Sequence, residues 1–190
     1  MILSTQHNTI VFSPPKTGTR YRMIRFKDVN DMKRQPGNMH VPISYVHEIC
    51  QDHELDQQTL HKVVCIRNPW RRYASLFDMM FRARKNQDDQ PQLFIKWINS
   101  EHFNRRAFSL DTFLFDKEGD LGADEILQID DWHAHIDRLK QLLHHDSDVP
   151  YNYKSKYSYE DTYKQWYTQQ AIDLVAEKDA KTIELLNLTF

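Results

Sequence analysis

The chain has 190 residues, 40% of them hydrophobic and 27% charged, with 25 Lys+Arg against 27 Asp+Glu for a formal net charge of −2. That balance excludes a disordered chain and a heavily basic nucleic-acid coat. Four glycines and seven prolines are too few for a collagenous or turn-dense all-β design, so one α/β or mostly helical domain over residues 1–190 is expected.

Met1–Phe12 has no basic start, no apolar run of signal length and no small-residue cleavage site. No segment reaches the ~20 apolar residues that cross a bilayer, so a cytoplasmic protein with no membrane partner is expected. Thr9–Phe12 is a short apolar run stopped by Ser13-Pro14-Pro15, the pattern of a buried strand entering a turn. A helix is expected from near Thr17 through Tyr21, Ile24 and Arg25. Pro36-Gly37-Asn38 reads as a turn and Met39–Val41 as a brief strand. Pro42 then opens a helix through Val46, Ile49 and Cys50. Lys62–Ile66 is a second β-branched run, ended by Asn68-Pro69, after which Tyr73, Leu76, Phe77 and Met80 recur at helical spacing. Further helices are expected at Leu93–Ile98, His133–Leu143 and Gln165–Leu186, and a strand at Glu125–Ile129. Strand–turn–helix units joined by helical crossovers predict a central parallel β-sheet flanked by helices. Such sheets place ligands at the carboxyl ends of their strands. Cys50 and Cys65 sit in apolar settings and are expected as buried, reduced thiols. The ten histidines form no HxxxH or HExxH spacing, so no metal is expected.

Two turns at the expected sheet edge carry chemistry. Ser13-Pro14-Pro15-Lys16-Thr17-Gly18-Thr19-Arg20 leaves a strand and opens a helix, which makes it an anion cradle. Backbone N–H groups at a helix start carry partial positive charge, Gly18 permits close backbone approach, Lys16 adds a full charge, and Thr17 and Thr19 offer hydroxyls. It is not a Walker A loop, since the lysine precedes the only glycine. In the second turn, Arg67 leaves a strand and Ser75 follows on the next helix. A guanidinium fork and a hydroxyl suit a second phosphate, and Trp70 suits stacking on a flat ring.

Pro15-Lys16-Thr17-Gly18-Thr19-Arg20 and Arg67-Asn68-Pro69-Trp70-Arg71-Arg72-Tyr73-Ala74-Ser75 together resemble the sulfotransferases that use 3′-phosphoadenosine-5′-phosphosulfate (PAPS). In that family a P-K-x-G-T-x loop holds the 5′-phosphosulfate, and an R-x7-S element holds the 3′-phosphate. Val149–Lys156, with Lys154, resembles the loop that closes over the nucleotide in the carbohydrate-type branch. Tyr153 stands where that branch has Asn, and Asn152 comes one place early. The resemblance implies a P-loop-NTPase-like α/β fold. It implies sulfuryl transfer from PAPS to an acceptor hydroxyl or amine, on a small molecule or glycan, with PAP as product and no metal required. It assigns Lys16 to the bridging oxygen, where charge builds as the bond to sulfur breaks. It assigns cofactor binding to Pro15, Lys16, Thr17, Gly18, Thr19, Arg20, Arg67, Ser75 and Lys154.

An acceptor hydroxyl also needs a general base, and His40 is the candidate, with Asp130, Asp131, His133 and His47 as alternatives. Two rival functions stand beside this one. A P-loop phosphotransferase is disfavoured by the misplaced lysine and the missing Walker B aspartate. A non-catalytic glycan or nucleic-acid binder would use the strip Tyr151, Tyr153, Tyr157, Tyr159, Tyr163, Trp166 and Tyr167 for stacking, although core packing explains such a strip better. No nucleic-acid partner is expected. Arg82, Arg84, Lys85, Arg105 and Arg106 read as a solvated face rather than an acidic-glycan site.

Overall fold

The computed structural model describes residues 1–32, 40–81, 90–101, 103, 109–146 and 163–190. The expected turn at 36–38, the basic residues at 82–85 and 105–106, and the Val149–Lys156 loop with Lys154 lie outside the described residues. The chain divides into two compact units, Met1–Arg67 with Thr112–Tyr153, and Asn68–Asp111 with Lys154–Phe190.

The first unit is built on a four-stranded sheet in the order β1 (Ile2–Ser4), β2 (Thr9–Phe12), β3 (His61–Ile66) and β4 (Glu125–Gln128). β2, β3 and β4 run parallel, as expected, with Val11 opposite Val63 and Ile66 opposite Gln128. β1 runs antiparallel to β2, with Ile2 opposite Val11, so the sheet is mixed rather than wholly parallel. The cause is the tight reversal at Thr5–Asn8, closed by Asn8 N–H on Thr5 O, with Asn8 in the left-handed region that asparagine tolerates. The expected strand at Met39–Val41 does not form at the described positions His40 and Val41. β1 and β3 already occupy both edges of β2, and Pro42 brings no N–H to a ladder.

Val63 to Ile66 are all buried, which is why this strand reads as a continuous apolar run. On one face Ile2, Val11, Val63 and Cys65 meet Tyr21 and Phe26 together with Ile136, Leu139 and Leu143. These come from α1 (Thr19–Arg25), its C-terminal neighbour Phe26, and α5 (Trp132–Leu142) with the residue that follows it. α2 (Val46–Asp52) follows a turn of 3₁₀ helix at Ile43–Tyr45. Cys50 and Cys65 are buried and not bonded to each other, and burial pushes both thiols up.

The second unit is helical. In α3 (Pro69–Phe81), Asn68 Oδ1 accepts the Arg71 N–H at 3.4 Å and Pro69 fills the first helical position, where its missing N–H costs nothing. α4 (Gln90–Ile98) and a 3₁₀ turn at Tyr163–Trp166 pack with α3 around Phe77, whose ring lies 5.3 Å from Phe94, 5.6 Å from Trp97 and 5.8 Å from Trp166. Tyr163 is buried, and Tyr167 donates its hydroxyl to Trp70 O at 2.8 Å. The described part of the aromatic strip is therefore core, as expected. The single helix expected over Gln165–Leu186 is two, α6 (Gln169–Lys178) and α7 (Ala180–Leu186), broken at Asp179. That carboxylate accepts Leu110 N–H at 2.7 Å and the Tyr73 hydroxyl at 3.2 Å, and its other oxygen lies 3.6 Å from Arg72 Nη2. Arg72 and Asp179 are both fully buried. Burial outweighs the arginine's charge and pushes the Asp179 carboxyl above its ordinary range.

Candidate functional site

Parallel pairing fixes where the first unit presents its loops. β2 ends at Phe12, β3 at Ile66 and β4 at Gln128, and Ile129 N–H continues the ladder to Ile66 O at 2.9 Å. The Ser13–Arg20 loop, Arg67 and the Asp130-Asp131 turn thus leave the carboxyl edge of one sheet, as the sequence predicts.

Within the loop, Lys16 (φ 70°) and Gly18 (φ 78°) both adopt the left-handed conformation, and Lys16 is half-buried. α1 begins at Thr19, two residues later than expected, because Gly18 takes the capping position. The Thr17 hydroxyl does not face outward as the sequence reading supposed. It donates to Pro14 O at 2.7 Å and accepts from Arg22 Nη2 at 3.1 Å, and Thr17 is fully buried. Thr19 Oγ1 also turns to Pro14 O, at 3.5 Å, so both threonines brace the loop. Pro15 is half-buried and Arg20 exposed.

Three residues that the sequence reading passed over hold this loop. Arg22, fully buried, donates to Ser13 Oγ at 2.9 Å and to both the carbonyl and the hydroxyl of Thr17. Its Nη1 lies 3.1 Å from His135 Nε2. A guanidinium has only donors, so Nε2 is the acceptor and the ring proton sits on Nδ1. Burial, reinforced by the Arg22 charge, lowers the His135 pKa to about 2, and the ring is neutral. Trp132, at the start of α5, covers Gly18 and packs edge-on to Tyr21 at 5.1 Å. The only sequence signal was spacing: Arg22 lies four residues beyond Gly18 on the expected helix, and His135 three beyond Trp132.

His40 comes to this loop from a different part of the chain. Its Nδ1 lies 2.7 Å from Ser13 O. A carbonyl can only accept, so Nδ1 carries the proton, and in the neutral ring the basic lone pair is on Nε2. The alternative bases fare differently. Asp131 caps α5 by accepting the Ala134 N–H at 3.1 Å. His47 is bonded to Gln51 and to Gln57, in the chain leading into the amino end of β3. Asp130 and His133 are exposed. Arg67 is half-buried directly after β3, and Ser75 is half-buried on α3 of the second unit. Among the described residues no group of three His, Cys, Asp or Glu side chains is arranged to hold a metal ion.

Comparison with protein-family models, with curated proteins and with solved structures finds no match to this chain. No helix among the described residues is long and apolar enough to cross a membrane.

Proposed function

We propose that the protein is a PAPS-dependent sulfotransferase of P-loop-NTPase-like α/β fold, acting on an acceptor hydroxyl or amine of a small molecule or glycan. The observation that carries this reading is the bond from His40 Nδ1 to Ser13 O. It brings the His40 ring to the loop that bears Lys16, which supports the reading because sulfuryl transfer to a hydroxyl calls for a base and a cation together.

The donor set suits a ligand with two separated phosphates. Lys16 and Arg67 leave neighbouring parallel strands at the same edge, and adjacent strands are about 4.8 Å apart. Lys16 would hold the phosphosulfate end, and Arg67 would hold the 3′-phosphate through its fork. PAPS supplies the sulfuryl group that passes from a phosphate oxygen to the acceptor. The protein's own contributions are the Lys16 charge where negative charge develops, and a proton path from the acceptor hydroxyl to His40 Nε2. Burial of Tyr163 and the inward bond of Tyr167 count against the rival reading of the aromatic strip as a stacking platform.

Calorimetric titration with PAP, repeated with adenosine 5′-phosphosulfate, ATP–Mg²⁺ and a short oligonucleotide, tests the reading. PAP should bind at micromolar or tighter Kd, and binding should be lost when the 3′-phosphate is missing. Lys16→Ala should abolish turnover, and His40→Ala should cut turnover while leaving PAP affinity nearly unchanged. Absence of PAP binding to the unmodified protein overturns the assignment.

A further inference from the structure

Beneath the Lys16 loop lies a cation with no counter-ion among the described residues. Arg22 is fully buried, and its partners are Ser13 Oγ, Thr17 O, Thr17 Oγ1 and His135 Nε2, while its Nε has none. Each partner is uncharged. The other titratable groups that feel Arg22 are the Cys65 thiol, raised by burial, and the Met1 amine, lowered to about 5, so neither carries charge near neutral pH. Arginine itself stays protonated even when buried.

The other fully buried arginine among the described residues is treated differently. Arg72 has the Asp179 carboxylate 3.6 Å away, and even the half-exposed Arg138 is bound by Glu125. A buried charge without an opposite charge is costly. At Arg22 that cost falls directly under the residues on either side of Lys16.

We propose that Arg22 is a positioning residue whose counter-ion is the anion bound by the loop. Its fork fixes Ser13 and Thr17, and therefore the path of Lys16 between them, and its charge is compensated only when a phosphate or sulfate-type oxyanion is bound. Binding an anion then relieves a penalty built into the ligand-free fold. The inference rests on the proposed anion role of this loop, and not on the acceptor or on the sulfuryl step.

The test separates charge from bracing. Arg22→Lys keeps the charge and loses the fork, whereas Arg22→Gln loses the charge and keeps an amide donor. Affinity for PAP and for inorganic phosphate is measured by calorimetry, alongside ligand-free urea midpoints. Arg22→Lys should hold affinity within ~3-fold and Arg22→Gln should lose at least ~10-fold, while the ligand-free midpoint of Arg22→Gln should lie above that of Arg22→Lys, since only the lysine keeps the unpaired charge. Ser13→Ala, which removes one acceptor and leaves the charge, should stay within ~3-fold. Equal losses in the Lys and Gln variants overturn the inference, because a brace alone is broken by both. PAP binding that is unaffected by either variant also overturns it, while leaving the sulfotransferase reading intact. If phosphate shows the Lys–Gln contrast and PAP does not bind, the inference stands and the sulfotransferase reading falls. If neither anion binds the unmodified protein, both fall.

Discussion

Replacing Gly18 by alanine strains the loop in two separable ways. At φ 78° an L-residue suffers a clash with its own backbone, worth about 1–2 kcal/mol. The added Cβ would also stand 2.9 Å from Trp132 Cζ3 and 3.1 Å from Cη2. The indole is not free to swing away without loss, because Tyr21 packs against its ring at 5.1 Å and His135 at 5.6 Å. Displacing it adds the cost of overpacking, about 1–3 kcal/mol. The expected total, about 2–5 kcal/mol, is large against the ~5–15 kcal/mol of an ordinary domain but leaves a folded protein. Urea unfolding followed by far-UV circular dichroism measures it, in the native background and in Trp132→Ala. With the indole gone only the backbone component remains, so the cost of Gly18→Ala should drop to about 1–2 kcal/mol. An equal cost in both backgrounds would falsify the claim that Trp132 covers the glycine. A cost below ~0.5 kcal/mol in both would refute the left-handed loop as well.

Arg67→Ala should weaken PAP by at least ~1.5 kcal/mol, the low end for charge-assisted bonds; unchanged affinity by calorimetry removes Arg67 from the phosphate site. Asp179→Asn should cost about 3–5 kcal/mol in urea midpoint analysis, because it leaves Arg72 charged in a fully buried position; a loss under ~1 kcal/mol shows that the pair is not what secures that helix break. His135 supplies a pH signature. Its ring stays neutral in the folded protein down to about pH 2, whereas an unfolded histidine protonates below ~6.5, so the unfolded chain binds the extra proton and stability falls as pH falls. Between pH 6.5 and 5 the native protein should lose about 1.6 kcal/mol more than His135→Asn. Parallel stability curves for the two count against a neutral His135.

The elements that sequence alone located are those whose signal is local. β2, β3 and β4 each combine a short apolar run with a Pro or Asp boundary, and α3 announces itself through Asn68, Pro69 and a regular apolar stripe. β1 was missed because three residues give no periodicity, and it forms only because β2 offers a partner edge. Of the candidate site, the Lys16 loop and His40 were legible, and the loop's interior was not. Periodicity counts apolar residues as inward and charges as outward, so nothing in the pattern marks Arg22 and Arg72 as interior. Their burial depends on His135, 113 residues from Arg22, and on Asp179, 107 residues from Arg72. The direction of the threonine hydroxyls was hidden for a similar reason. The same Ser/Thr pattern can face a ligand or its own backbone, and only the loop's left-handed turns decide between the two.

Lys16 itself holds a backbone conformation that glycine or asparagine adopts more cheaply. Selection for a stable fold alone would favour replacing it, at a gain of up to about 1–2 kcal/mol. If Lys16 is the cation of the proposed transfer, the loop trades durability for chemistry. That compromise has a practical corollary: a Lys16→Gly protein should be the sturdier molecule and the inert one, so its inactivity could not be blamed on collapse of the fold.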